Sequence, residues 1–505
     1  MRLFFPLFFI LSICSSGEIY GQSASFSEVS LSSGIDHRAI ITDTMFAAQG
    51  GVAWFDYNMD GFEDLYLTGG GASDVLFEND GNGGFINVTN TAGLSVMDGS
   101  VKTMGVISGD IDNDGYRELF ITTEDANTNY LFYNNGDGTF TDISVSAGVN
   151  DGGNSASAAF GDYDLDGDLD LYVTNWCVEM LDMTVVDTFP TVQNYLYRNN
   201  GDLTFTEVSA SMGVSDATGC SLGVMFTDFD NDRDLDLMIA NDFGFLAGNN
   251  ENSLFRCEFP ATGFVDISEQ AIVDFGINGM GTAHGDYDED GDLDYYISNI
   301  GNDLLLRNDG NSFSNQLINA GLENDTVLML DRSGYENGYG WSSGFFDFDN
   351  DTDLDLFVAN GGIAFQGVAH PNLDTNKLFS NNGDGTFTDV SVLEGVADTY
   401  ISRGFAHCDY DNDGDIDMLV GISDSEVGNQ HSLLYKNNLP SGNWLKVSLI
   451  GVAANRDGFG ARVSVKFNGR TLIREVDGGS GFNSHHSSIV HFGLANVTML
   501  DTVTV

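Results

Sequence analysis

DYDLDGDLD at residues 162–170 is one of seven copies of a nine-residue pattern, and the setting of those copies decides the fold. The others are DYNMDGFED (56–64), DIDNDGYRE (110–118), DFDNDRDLD (228–236), DYDEDGDLD (286–294), DFDNDTDLD (347–355) and DYDNDGDID (409–417). Their starts lie 54, 52, 66, 58, 61 and 62 residues apart, a period that belongs to repeat architectures. Around the copy at 162–170, SAAFGDYD leads in and LDLYVTN leads out with period-two alternation. NYLYR follows, and TFTEVS comes after an Asn-Asn-Gly turn. These are four short strands broken by turn residues. Seven four-stranded units of roughly 50–65 residues predict an all-β chain, folded as a seven-bladed β-propeller over residues 23–440.

Ring closure is written into the offset of the repeats. The fourth-strand pattern recurs as FSEVSLSSGI (26–35), FINVTNTAGL (85–94), FTDISVSAGV (140–149), FTEVSASMGV (205–214) and FTDVSVLEGV (387–396), with degenerate copies from Phe264 and Phe313. The first of the seven precedes the first Asp motif. The two chain ends are therefore expected to complete one blade together and leave no open edge.

The motif places oxygen side chains at positions 1, 3, 5 and 9, usually with Gly at 6. Alternate residues of a tight loop converge on one point, and Ca²⁺ takes six to eight oxygens at about 2.3–2.6 Å. The expected ligands are Asp56, Asn58, Asp60 and Asp64 with the carbonyl of Phe62; Asp110, Asp112, Asp114 and Glu118 with that of Tyr116; and Asp162, Asp164, Asp166 and Asp170 with that of Asp168. Asp286, Asp288, Asp290 and Asp294 act with Asp292, and Asp409, Asp411, Asp413 and Asp417 with Asp415. Two further loops, Asp228, Asp230, Asp232, Asp236 and Asp347, Asp349, Asp351, Asp355, carry Arg233 and Thr352 where the others have Gly, and are expected to bind more weakly. Five calcium sites and two weak ones are the expectation. An EF-hand would need Glu at position 12, where Leu67, Ile121 and Val173 stand in strands. Four carboxylates in nine residues repel one another strongly without a counter-ion.

The 505 residues hold 76 Asp and Glu against 18 Lys and Arg, a formal charge of −58. Such a field repels phosphate backbones and excludes counterion-driven nucleic-acid binding. With 42% hydrophobic residues the chain is able to build a core, unlike a disordered one. Arg2 followed by LFFPLFFILSI reads as a secretory leader at 1–22, too short to span a bilayer. A lipoprotein signal on Cys14 is the rival, disfavoured by the bulky Ile13. An exported or cell-surface location follows. The remaining cysteines, Cys177, Cys220, Cys257 and Cys408, form no CxxC, and four buried free thiols are the default.

Composition shifts near Pro440. Residues 444–505 carry six basic residues (Lys446, Arg456, Arg462, Lys466, Arg470, Arg474) and four acidic ones. Runs at 461–467 and 470–476 flank Asn468-Gly469, a type I′ hairpin signal, so 441–505 is expected to be a small β domain. Its basic residues either dock on the acidic propeller or form an exposed strand face. Their alternation with apolar residues favours the exposed face.

The aspartate loops resemble the FG-GAP/VCBS repeats of integrin-α-type seven-bladed propellers, over roughly residues 24–438, although the Phe-Gly pair survives only at Phe160-Gly161. NWLKVSLIG, NRDGFGARVSV and GSGFNSHHSSIVHFGL are similar to the ASPIC/UnbV domain. That combination resembles the cartilage acidic protein family, and the Gly-Gln end of the leader points to a bacterial member. In that family a Trp-Pro-containing strand follows, so the stop at Thr504-Val505 implies an incomplete domain.

Three insertions, 176–193, 323–341 and 361–375, fall on the propeller face opposite the Asp loops and are rich in Met, aromatics and Gly. They are the expected recognition surface. Neither GxSxG nor HExxH occurs. His284 and His407, each two residues before an Asp loop, occupy packing positions. The expectation is a secreted, calcium-binding, non-enzymatic module for an extracellular protein or matrix component. The alternative is a carbohydrate-binding or polysaccharide-degrading propeller using Trp341 or Tyr339.

Overall fold

The computed structural model describes residues 24–41, 48–124, 128–150, 152–177, 192–217, 219–244, 251–310, 312–323, 338–363, 374–424, 430–439 and 442–505. The expected leader with Cys14, and most of the three insertions, lie outside them.

Each Asp motif is the hairpin between the first and second strands of a four-stranded antiparallel sheet. In blade 3 these strands are Ser155–Gly161, Asp170–Asn175, Tyr195–Asn199 and Phe205–Glu207, paired in chain order. First and second strands are almost wholly buried, because each blade packs a neighbour on either face. Between blades 1 and 2, for example, Ala53, Phe55, Tyr66 and Leu76 meet Val106, Leu119, Ile121 and Phe132. Fully burying such a side chain stabilises by about 1.5–3 kcal/mol.

Among the described residues five sheets have these four strands and two more carry the same four with a short fifth strand paired in parallel. The last is built from both chain ends: Ser402–Cys408, Asp417–Asp424 and Leu433–Asn437 are completed by Phe26–Glu28, with Phe26 opposite Asn437. The closure expected from the repeat offset is therefore observed. First strands line the centre and touch in cyclic order, Ser402–Cys408 against Val52–Phe55 closing the ring.

Two cysteines depart from the expectation of free thiols. Cys177, just past the second strand of blade 3, and Cys220, just before the first strand of blade 4, form a disulfide with Cα atoms 5.1 Å apart. Blade stacking brings together residues 43 apart in sequence, a proximity that cysteine spacing does not reveal. Cys257 and Cys408 are buried thiols.

After the propeller, Trp444–Val447 pairs with Val490–Gly493, and Arg462–Phe467 pairs with Arg470–Glu475 and Thr502–Thr504. Asn468 and Gly469 both have positive φ, 49° and 84°, as a type I′ turn requires. Among the described residues no helix is long and apolar enough to cross a membrane.

Candidate metal centre and its cap

In five of the loops two backbone N–H groups hold the first aspartate. Asp114 N–H donates to one oxygen of Asp110 at 3.0 Å and Gly115 N–H to the other at 2.8 Å. The same pair of donors reaches Asp56, Asp228, Asp347 and Asp409. Position 9 is anchored from two sides: Asp170 accepts from Tyr163 N–H at 3.3 Å and from Asn199 N–H at 2.8 Å. Folding the loop this tightly demands positive φ at position 6, from 81° at Arg233 to 102° at Gly115. Thr352 sits at 101°, a strain of about 1–3 kcal/mol for a β-branched residue. Position 4 is left-handed in all seven loops, at 57–63°. Sequence reading missed this requirement, although Asn stands there at 113, 231, 350 and 412.

In six groups candidate ligand atoms gather to within 4.8 Å of one another, among them the carboxylate oxygens of Asp110, Asp112 and Glu118; Asp162, Asp164 and Asp166; Asp228, Asp230 and Asp236; Asp286, Asp288 and Asp290; Asp347, Asp349 and Asp351. Asp162 Oδ1, Asp164 Oδ1, Asp230 Oδ1, both oxygens of Asp286, Asp288 Oδ1 and Asp349 Oδ1 are buried with no hydrogen-bond donor. Each such group carries an uncompensated desolvation cost of about 1–3 kcal/mol, more when charged. Burial, with the neighbouring carboxylates adding to it, pushes Asp64 up to about 8, Asp110 and Asp286 to about 7 and Asp236 to about 9. The loops therefore need either protons or a cation at neutral pH. Hard oxygen donors at alternate positions suit a divalent cation that prefers oxygen over one that prefers sulfur or imidazole.

Position 7 has a second use. The side chains of Asp168, Asp292 and Asp415 accept from Asn113, Asn231 and Asn350 of the preceding loop at 3.2, 2.6 and 2.8 Å, which leaves their carbonyls as the candidate ligands. A further set of residues, unnoticed in the sequence, locks each loop to its neighbour. The asparagine ending each third strand donates to the position-2 carbonyl of the previous loop: Asn79 to Tyr410, Asn134 to Tyr57, Asn199 to Ile111, Asn308 to Phe229, Asn381 to Tyr287 and Asn437 to Phe348, all at 2.7–2.9 Å. Cys257 takes this place in blade 4, its thiol 3.7 Å from the Tyr163 carbonyl. The signal was the recurrent Asn itself.

Residues 56–121, 110–173 and 347–420 match the FG-GAP-like repeat family, and 451–505 match the ASPIC and UnbV family. Over those residues the chain is similar to FG-GAP-like repeats and to the ASPIC and UnbV segment. It is 25% identical over 492 residues to mouse cartilage acidic protein 1, covering 88% of this chain and 68% of that protein. The human protein of that name is 24% identical over 488 residues, with 88% and 66% covered. The resemblance to the cartilage acidic protein family therefore holds. Among solved structures, an Agrocybe aegerita lectin that recognises non-reducing terminal N-acetylglucosamine aligns at TM-score 0.43 and 18% identity, covering 77% of this chain and 91% of that one. A rhamnogalacturonan lyase aligns at 0.39 and 12%, covering 78% and 72%.

The ASPIC and UnbV segment covers the Asp-loop end of the FG-GAP propeller, and the expectation of an exposed basic strand face gives way. Lys446 lies 2.8 Å from Asp409, Arg456 3.5 Å from Asp110, and Arg462 3.7 Å from Asp228, each at position 1 of a loop. Arg470 pairs with Glu289 and, at 2.8 Å, with Asp353. Acids of the segment answer in kind: Asp457 accepts the N–H of Asp110 at 2.8 Å, and Glu475 that of Asp228 at 3.2 Å. Of the alternating cations Lys466 and Arg470 stay exposed, and Arg470 is nonetheless paired with Glu289 and Asp353. Complementary charge on five of the converging loops overrides what strand alternation alone suggests.

From this cap a finger, Asp477–His486, enters the central channel. Its tip, Phe482, sits among Ala48, Met104, Ala156, Leu222, Met280 and Trp341. Asn483 N–H donates to Ser157 Oγ at 3.0 Å, Ser484–His485 run parallel to Val52 and Ala53, and His486 stacks on His407 at 4.3 Å. The first strands are small where the finger passes. A Cβ on Gly51 would stand 2.5 Å from the Asn483 carbonyl, and one on Gly281 3.0 Å from Phe482 N. Trp341, expected as a surface ligand contact, is 3% exposed and packs on Phe482 at 5.0 Å with the Arg403 guanidinium 3.9 Å from its ring. It belongs to the core because it opens the innermost strand of blade 6.

Proposed function

We propose that the chain is an extracellular, calcium-stabilised propeller that binds another protein or a matrix component through the end opposite its Asp loops. The observation that carries this reading is the cap. The ASPIC and UnbV segment already occupies the loop end and the channel, so the opposite end is the broad surface left for a partner. Orphaned carboxylate oxygens in the loops support a structural cation. The Cys177–Cys220 disulfide supports an oxidising compartment, in keeping with the expected leader.

At the opposite end Trp176 and Phe243 stack with their planes 3° apart, 6.4 Å between centroids, and Trp176 Nε1 donates to Asp242 at 3.1 Å. Both rings are half-buried. The test is binding of the calcium-loaded chain to panels of extracellular-matrix proteins and glycans. Saturable protein binding that weakens on Phe243→Ala supports the reading. Binding confined to glycans, or breakdown of a polysaccharide by the purified chain, replaces it with the carbohydrate alternative.

A further inference from the structure

We infer that the loop at 409–417 is filled by two lysines of this chain in place of the cation its companions take, an inference that rests on the calcium reading above. Lys436, in the third strand of the same blade, pairs with Asp411 and lies 3.3 Å from Asp413. Lys446 comes from the cap and donates to Asp409 at 2.8 Å and to Asn412 at 2.6 Å. Positions 1, 3 and 5 of the ligand set are thus each met by an amine, while Asp411 Oδ1 and Asp417 Oδ2 stay buried without a donor. Together the two ammonium groups supply the same formal charge as one Ca²⁺.

No other loop is approached in this way among the described residues. At the place of Lys436 the other third strands carry Glu78, Tyr133, Arg198, Arg256, Arg307 and Ser380. Arg256 and Arg307 turn outward instead, to Glu258 and Asp309. Arg456 and Arg462 of the cap each approach one position-1 carboxylate, at 3.5 and 3.7 Å, and leave positions 3 and 5 of those loops untouched. A guanidinium fork spreads its charge, whereas an ammonium is a compact point charge that is able to stand where a cation would. The Lys446–Asp409 pair is also shielded, with the side chains 18% and 1% exposed. Calcium entering this loop would leave a largely buried ammonium without its partner, which is strongly unfavourable. The pattern DYDNDGDID keeps Gly at position 6 and every carboxylate, as the loops at 162–170 and 286–294 do, while the residues aimed at it come from elsewhere.

The experiment is calcium stoichiometry by elemental analysis on the full chain, in four forms: unaltered, Asp413→Ala, Lys436→Met with Lys446→Met, and those two with Asp413→Ala. Asp413→Ala alone should leave the count unchanged. The double lysine variant should bind one more calcium than the unaltered chain, and adding Asp413→Ala should remove it. Loss of one calcium on Asp413→Ala in the otherwise unaltered chain overturns the inference, and that measurement stands even if the lysine variant fails to fold. An equal count in a folded double lysine variant overturns it as well. Calcium absent from every form removes the reading on which the inference rests, and the inference with it.

Discussion

At one end of the propeller five of the aspartate hairpins meet basic residues of the ASPIC and UnbV segment. At the other, Met104, Ala156, Leu222, Met280 and Trp341 close on Phe482 beside the Cys177–Cys220 disulfide. The first end is held by charge, in carboxylates too crowded to ionise unaided. The second is held by apolar contact and a covalent link. The two should therefore respond to different conditions, and the finger from Asp477 to His486 is the element that joins them. Ions should govern the loop end, and redox state the far end.

Removing the cation is the strongest way to break that contrast. Each site that binds only the folded chain adds RT ln(1+[L]/Kd), about 2.7 kcal/mol at a hundredfold excess. Chelation should therefore lower the melting temperature by far more than any single substitution, and a melt that ignores chelator would mean that protons or the cap's own cations neutralise the loops. Phe482→Ala comes next. Emptying a phenylalanine site in a closed ring costs about 3–5 kcal/mol, and because the tip lies at the apolar end the loss should be equal in calcium and in chelator. A loss confined to one condition would show the ends to be coupled through the finger.

Cys177→Ser tests the far end alone. A disulfide closing a loop of this size is worth about 2–4 kcal/mol, and reductant should reproduce the variant's lowered melt without altering its response to calcium. At the loop end, Thr352→Gly relieves a left-handed β-branched residue at φ 101° and should raise stability by roughly 1 kcal/mol, with tighter calcium binding by the 347–355 loop in a titration. A fall in stability would mean that the Thr352 hydroxyl, which donates to Asp353 at 3.2 Å, outweighs the strain.

These contrasts separate what the sequence made legible from what it hid. The blades and their closure were readable because a motif repeated seven times averages away local ambiguity. The offset of FSEVSLSSGI before the first Asp loop left one solution for the ends. The left-handed fourth position was hidden because Met59, Leu165 and Glu289 occupy it as well as Asn. The cap was hidden for a different reason: Arg462 and Arg470 alternate with apolar residues as any half-buried strand does, and what they meet, Asp228 and Asp353, lies more than a hundred residues away. Trp341 was misplaced because an aromatic at the edge of an insertion resembles a surface contact until the finger that covers it is in view.

The smallest effect concerns a carboxylate that the far end holds without a metal. Asp74 is buried and accepts from Thr103 Oγ1 at 2.6 Å, Gly69 N–H at 2.7 Å and Tyr66 Oη at 3.0 Å. Burial nevertheless pushes it up to about 7. Because the folded value exceeds the unfolded one, the folded chain binds the extra proton. The contribution is complete below the ordinary carboxylate range and fades as pH rises through about 7. Blades 2, 3, 4 and 6 place Asn129, Asn194, Asn252 and Asn376 at the start of the third strand, where Asp74 stands in blade 1. Asp74→Asn should thus be tolerated, cost little at pH 5 and flatten the fall in stability between pH 5 and 8, whether calcium is present or not. A pH profile left unchanged by the substitution would place the pH sensitivity in other buried carboxylates, those of the aspartate loops or Asp242.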